Sequence, residues 1–77
     1  MLKVLLPLAE VSYRKEAYLQ ARAFLQRYEA VAADNEESLK LGYLIETALG
    51  DQSSADRYRL ELRENYPNAL PRAGRGD

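Results

Sequence analysis

The stretch ESLKLGYLIETALGD, residues 37–51, decides the fold of this 77-residue chain. Its apolar residues recur every three or four positions from Leu41 onward, which is the spacing of one face of an α-helix. Gly50 predicts the end of that helix, because a left-handed backbone costs glycine little. Asp51 then predicts the N-cap of a further helix.

Apolar stripes at helical spacing occur three more times, and no segment alternates with period two for long enough to form a strand. Asp34, with Glu37 three residues later, has the pattern of a capping box. Pro67 stops the last helix. Pro7 restricts the first helix, which we expect to be regular only from about Leu6. We predict helices near residues 4–15, 18–32, 36–49 and 52–65.

The helices repeat in pairs. Ala9 maps on Gly42 at a shift of 33 residues, and Ala21 maps on Ala55 at a shift of 34. Small residues at these places let paired helices approach closely, and 34 residues is the period of the tetratricopeptide repeat. We predict an all-α fold in which two such repeats form a short right-handed superhelical solenoid, with a generic four-helix bundle as the alternative. The domain would span residues 1–67, with repeats at about 2–33 and 35–67 and a disordered tail at 68–77.

The composition argues against catalysis. The chain has no Cys and no His, so the commonest general base and the usual thiolate and imidazole metal ligands are missing. Four glycines are too few for a phosphate-binding loop. Eleven basic against twelve acidic residues give no electrostatic reason to expect nucleic acid or an anionic membrane. We expect no enzyme, no cofactor, no metal, no small-molecule substrate and no nucleic acid, and a protein as the partner.

Four segments stand out beyond the general repeat pattern: YLQARAFLQRY at residues 18–28, ESLKLG at 37–42, IETALGD at 45–51 and LELRENYP at 60–67. Together they resemble the C-terminal repeats of the type IV pilus biogenesis and stability lipoproteins, the tetratricopeptide pilotins. The resemblance implies a bacterial, non-catalytic scaffold in the periplasm that helps an outer-membrane secretin to reach its place and assemble. A generic tetratricopeptide adaptor with another partner, cytoplasmic or periplasmic, is the alternative.

The sequence departs from that family at several positions. Lys40 stands where the family tends to have Trp, Glu16-Ala17 replaces a Gly-Asp turn, and Ala33 replaces a proline. The lipid-bearing Cys and the earlier repeats are absent as well. We therefore expect a C-terminal fragment or a truncated relative that is not itself anchored by a lipid.

The repeat register predicts a binding surface. The concave side of a tetratricopeptide solenoid is lined by the first helix of each repeat. Tyr13 and Tyr43 are the strongest candidates for recognition on that side, since tyrosine combines large contact area with low rotamer entropy; half-buried packing is the alternative role. The predicted concave residues are Leu6, Glu10, Tyr13 and Arg14 from repeat 1 and Leu39, Tyr43 and Glu46 from repeat 2.

Two repeats leave both ends of the solenoid open, because each unit covers only its neighbour and about three are usually needed for stability. We therefore expect a homodimer or docking on further repeats.

Overall fold

The computed structural model describes residues 2–69, and their side chains from Lys3 onward. That part of the chain forms four α-helices and no strand, which confirms the prediction of an all-α protein. The observed bounds lie within two residues of the predicted ones. The helices are α1 at Leu2–Arg14, α2 at Tyr18–Val31, α3 at Glu36–Leu49 and α4 at Gln52–Asn65.

A capping box begins α3, one residue later than predicted. The Asn35 side chain accepts a hydrogen bond from the Ser38 amide at 2.8 Å, and the Ser38 hydroxyl accepts from the Asn35 amide at 2.8 Å. Asp34 is not the cap but supports it, since its Oδ1 accepts from the Ser38 hydroxyl at 2.8 Å. The prediction of Asp34 with Glu37 was wrong because both pairs fit the same three-residue spacing, and Glu37 stays exposed.

The turn between α3 and α4 follows the prediction. Gly50 has φ 78°, in the left-handed region, and its amide donates to the last turn of α3. The Asp51 side chain accepts from the Ser54 amide at 3.2 Å and caps α4. This acceptor role, together with the Ser54 hydroxyl bond, lowers the pKa of Asp51.

The first helix starts earlier than expected. It begins at Leu2, so Pro7 lies inside it rather than at its start. Proline in that position removes a backbone hydrogen bond and crowds the carbonyl four residues before it. The buried side chains of Leu5 and Leu6 offset this cost by fixing the first turn of α1 against the core.

Small residues lie in the core, as the register predicts. Ala9, Ala21 and Ala55 are fully buried, and Gly42 is buried against the ring of Tyr58. Within the described residues α1 pairs with α2 and α3 with α4, while α3 also packs on α2 and touches α1. The largest fully buried side chains are those of Leu25, Ile45 and Leu62.

The end of the described chain is a turn after α4, in which the Ala69 amide donates to the Tyr66 carbonyl at 2.9 Å. The remainder of the predicted disordered tail, residues 70–77, lies outside the described residues. Across residues 2–69, none of the helices combines the length and the apolar character needed to cross a membrane.

Candidate protein-binding surface

An open groove of about 370 Å³ lies between α1 and α3. Glu10 is its contribution from α1, and the other lining residues come from the outer face of α3. Leu41 and Leu44 form its apolar part, and Leu44 is 42% exposed. The remaining lining residues are Glu36, Glu37 and Lys40.

The groove carries excess negative charge. It has three carboxylates and one ammonium group, and the Lys40 Nζ lies 3.9 Å from the Glu36 carboxylate. Within the described part of the chain, Glu10 and Glu37 take part in no hydrogen bond or ion pair of their side chains. Two uncompensated carboxylates therefore remain beside the apolar floor.

A second apolar surface lies on α1, where Val4, Leu8 and Val11 are exposed at helical spacing. The 33-residue shift places Leu8 at the position of Leu41. Leu8 is 40% exposed, whereas Leu41 is 5% exposed. The same apolar position is thus covered in the second helix pair and open in the first.

Three of the predicted concave residues are buried. Leu6 and Leu39 belong to the hydrophobic core, and Glu46 is only 4% exposed. The second helix pair packs against this side of α1 and α2. Positions that the repeat register assigns to ligand binding therefore contact other helices of the same chain. These three residues are not available to a partner in this conformation.

The buried carboxylate of Glu46 is held by Arg22 of α2. Arg22 Nε donates to Glu46 Oε2 at 3.0 Å, and Nη2 donates to Oε1 at 2.6 Å. The Asp51 carboxylate lies 3.5 Å from the same guanidinium. Hydrogen bonding to Glu46 raises the pKa of Arg22, so its guanidinium stays charged. Arg22 therefore clamps α2 to the end of α3 and the start of α4.

The other four predicted residues are reachable in different degrees. Tyr13 is partly buried, and its ring centroid lies 5.5 Å from that of Tyr18 at an interplanar angle of 52°. Tyr43 is also partly buried and packs against the core. Glu10 lines the groove, and Arg14 is exposed at the end of α1. The structure brings none of the other three together with Glu10 in the groove.

A partly buried hydrogen bond also joins α2 to α4. The Tyr58 hydroxyl donates to both Glu29 oxygens, at 3.1 and 2.9 Å, while its ring covers Gly42. Burial, opposed by the Tyr58 bond and reinforced by Asp34, raises the pKa of Glu29 to about 7. Burial and the Glu29 carboxylate raise the pKa of Tyr58. The pair lies between helices, where it holds them together.

Four groove residues on α3 were not among the predicted binding residues, because the sequence reasoning assigned the binding face to a neighbouring stripe of that helix; they are Glu37, Lys40, Leu41 and Leu44. The signal that identifies them is the exposed apolar stripe itself. Val4, Leu8 and Val11 map at a shift of 33 on Glu37, Leu41 and Leu44, three of the groove residues. Among the described residues, no group of three acidic side chains could hold a metal ion.

The chain is similar to the type IV pilus assembly protein PilF of Pseudomonas aeruginosa. The two are 30% identical over 67 residues, which cover 87% of this chain and 27% of PilF. The chain thus spans about a quarter of the length of the relative that it matches. No family model matches the chain. No solved structure matches it either.

Proposed function

We propose that this chain is a non-catalytic, protein-binding scaffold that acts in type IV pilus assembly. The observation that carries the proposal is the 67-residue similarity to PilF, which extends over both helix pairs. The similar relative is named for pilus assembly, and the chain has no histidine or cysteine to support a common catalytic mechanism.

The proposed architecture is a solenoid of two tetratricopeptide repeats. Its support is the 33–34-residue shift that superposes Ala9 on Gly42 and Ala21 on Ala55, all four of them buried. In such repeats each pair of helices packs on the next and leaves an extended surface for a partner. The groove between α1 and α3 and the apolar stripe on α1 are the surfaces of this kind here.

The proposed partner is an outer-membrane secretin, and the proposed compartment is the periplasm. Both rest on the family resemblance of the sequence segments and on the similarity to PilF. Tyr13, Tyr43 and Arg14 are further contact candidates outside the groove, since each has side-chain surface in solvent.

The direct test is retention of secretin by the tagged 77-residue chain. Detergent-solubilised secretin from the bacterium that encodes this chain is passed over the immobilised chain. Circular dichroism checks that the chain is helical. We expect secretin to be retained. If a helical chain retains no secretin, the pilus role is wrong and a generic tetratricopeptide adaptor becomes the better proposal. The 27% coverage of PilF and the lack of a matching family model favour that alternative.

We further propose that the exposed α1 stripe mediates self-association or docking on further repeats. The support is the contrast between Leu8 and its covered counterpart Leu41. Sedimentation velocity over a dilution series tests it: Leu8→Glu should shift the chain toward 8.8 kDa. The matched control is Leu19→Glu on α2, whose side chain is exposed outside the stripe. A helical wild-type chain that sediments only as a monomer contradicts self-association.

A further inference from the structure

We propose that the groove between α1 and α3 binds a segment of a partner protein that carries apolar side chains next to Lys or Arg. This inference rests on the proposed protein-binding function and names the chemistry of the partner at one site. It does not depend on the partner being a secretin.

Two leucines give the groove its apolar surface. Leu44 presents 42% of its surface to solvent, and Leu41 closes the wall beside it. A volume of about 370 Å³ lies near the lower end of ligand sites, which span roughly 300–1,000 Å³. The groove is thus large enough for a few side chains of a docked segment and too small for a folded domain.

The charge of the groove selects among the segments that could bind there. Lys40 is compensated by Glu36, while Glu10 and Glu37 face the groove without a cationic partner in the described chain. A cationic side chain next to the apolar anchors would complete both carboxylates. A phosphate backbone, an anionic lipid headgroup or a peptide carboxylate would meet like charge instead.

The other grooves fit such a partner less well. The groove between α3 and α4 is lined mainly by polar groups around Asn65 and Tyr66. The groove at the start of α2, near Tyr18 and Leu49, has a single carboxylate, that of Glu16. Of these three grooves, the α1–α3 groove is the one in which an exposed leucine lies beside two unpaired carboxylates.

The test uses fluorescence anisotropy with a short fluorescein-labelled amphipathic peptide built of Leu and Lys. Two companion peptides replace every Lys by Glu or every Leu by Ser. The 77-residue chain should bind the Leu/Lys peptide. It should bind both companion peptides at least about fivefold more weakly, and a fivefold difference in affinity corresponds to about 1 kcal/mol of binding free energy. Binding should also weaken as salt is raised.

Matched variants locate the site. Glu37→Lys and Leu44→Ser should each weaken binding at least about fivefold. Their controls lie on α4: Glu64→Lys makes the same charge change on an exposed helix face, and Leu60→Ser removes a leucine of nearly equal exposure, 44%. The controls should change binding less than about twofold. Circular dichroism confirms that all four variants are helical.

The proposal is overturned if the chain does not bind the Leu/Lys peptide, if the Glu-containing peptide binds as tightly, or if the α4 controls weaken binding as much as the groove variants. Secretin retention separates this result from the pilus role. If secretin is retained but the peptide results fail, the groove chemistry is wrong and the scaffold role stands. If the peptide results hold but secretin is not retained, the groove binds a different protein.

Discussion

Each helix pair consists of two consecutive α-helices joined by a short turn, but the two pairs differ in the residues that stabilise their helix ends and turns. The second pair, α3 with α4, has a reciprocal cap at Asn35, a left-handed glycine at Gly50 and a close helix contact at Gly42. The first pair, α1 with α2, has Pro7 inside its first helix and no side-chain cap on its second. The first pair is therefore more dependent on packing against its neighbour.

The turns within the two pairs make the difference precise. Glu16 has φ 66° where Gly50 has φ 78°, and Ala17 has φ −88° and ψ 71° where Asp51 has −89° and 83°. The backbone is nearly the same in both turns, although only the second has the residues that favour it. Helix packing thus imposes a turn geometry that the local sequence of the first pair does not encode.

The largest effect is expected at the closest helix contact. A Cβ at Gly42 would overlap the ring of Tyr58, whose hydroxyl is fixed by Glu29. Gly42→Leu should lower the free energy of unfolding by about 3 kcal/mol or more through overpacking. Urea unfolding followed by circular dichroism measures it. Adding Tyr58→Leu should recover part of the loss. If the free energy of unfolding of Gly42→Leu equals that of the wild type, α3 and α4 are not packed in this register.

The junction between the two pairs comes next. Arg22→Met leaves the buried Glu46 carboxylate without its donor and should cost about 1.5–3 kcal/mol, as for a lost hydrogen bond to a charged group. Arg22→Met with Glu46→Leu should recover most of that loss. Lys40→Met is the control, because the Lys40–Glu36 pair is exposed and worth only about 0.2–0.5 kcal/mol. Equal losses in both single variants would argue against a clamp at Arg22.

The first turn can be repaired by copying the second. Glu16→Gly relieves a left-handed glutamate, and Ala17→Asp adds a cap to α2 that mirrors Asp51. Each should stabilise the chain by about 1 kcal/mol. Thermal unfolding measures the gain. Ala23→Asp, an exposed position in the interior of α2, is the control and should not stabilise. If the Ala17 variant also fails to stabilise, the two turns differ in a way that their dihedral angles do not reveal.

The smallest effect is a change in pH dependence, because Glu29 keeps part of its surface in solvent. Its pKa of about 7 lies above the 4.5 of an ordinary glutamate, so the folded chain keeps a proton there that the unfolded chain has lost. Its contribution to stability is complete below pH 4.5 and is lost as pH rises through 7. Glu29→Gln should remove this decline, whereas the exposed Glu64→Gln should not. Parallel pH profiles for wild type and Glu29→Gln would contradict a buried carboxyl.

The sequence predicts the features that depend on local pattern. It leaves open those that depend on the angle at which one helix pair packs against the other. Helix periodicity, Gly50 and Asp51 place the helices, because each acts within a few residues of the chain. Leu39 and Glu46 lie toward the neighbouring helices rather than in solvent because the packing angle between pairs decides which edge of α3 is covered. The spacing of apolar residues does not specify that angle. The groove at Leu44 therefore could not be predicted from the sequence and is defined only by the packed helices.

Pro7 makes the beginning of α1 separable from the rest of it. In an α-helix each amide donates to the carbonyl four residues earlier, so Leu6 pairs with Leu2 and Leu8 with Val4, but Pro7 has no N–H to donate to the carbonyl of Lys3. The first turn can unwind without breaking the ladder that starts at Leu8. Deuterium from solvent would then replace the amide hydrogen of Leu6 well before that of Ser12, and only the anchoring of its leucine side chains would oppose such fraying.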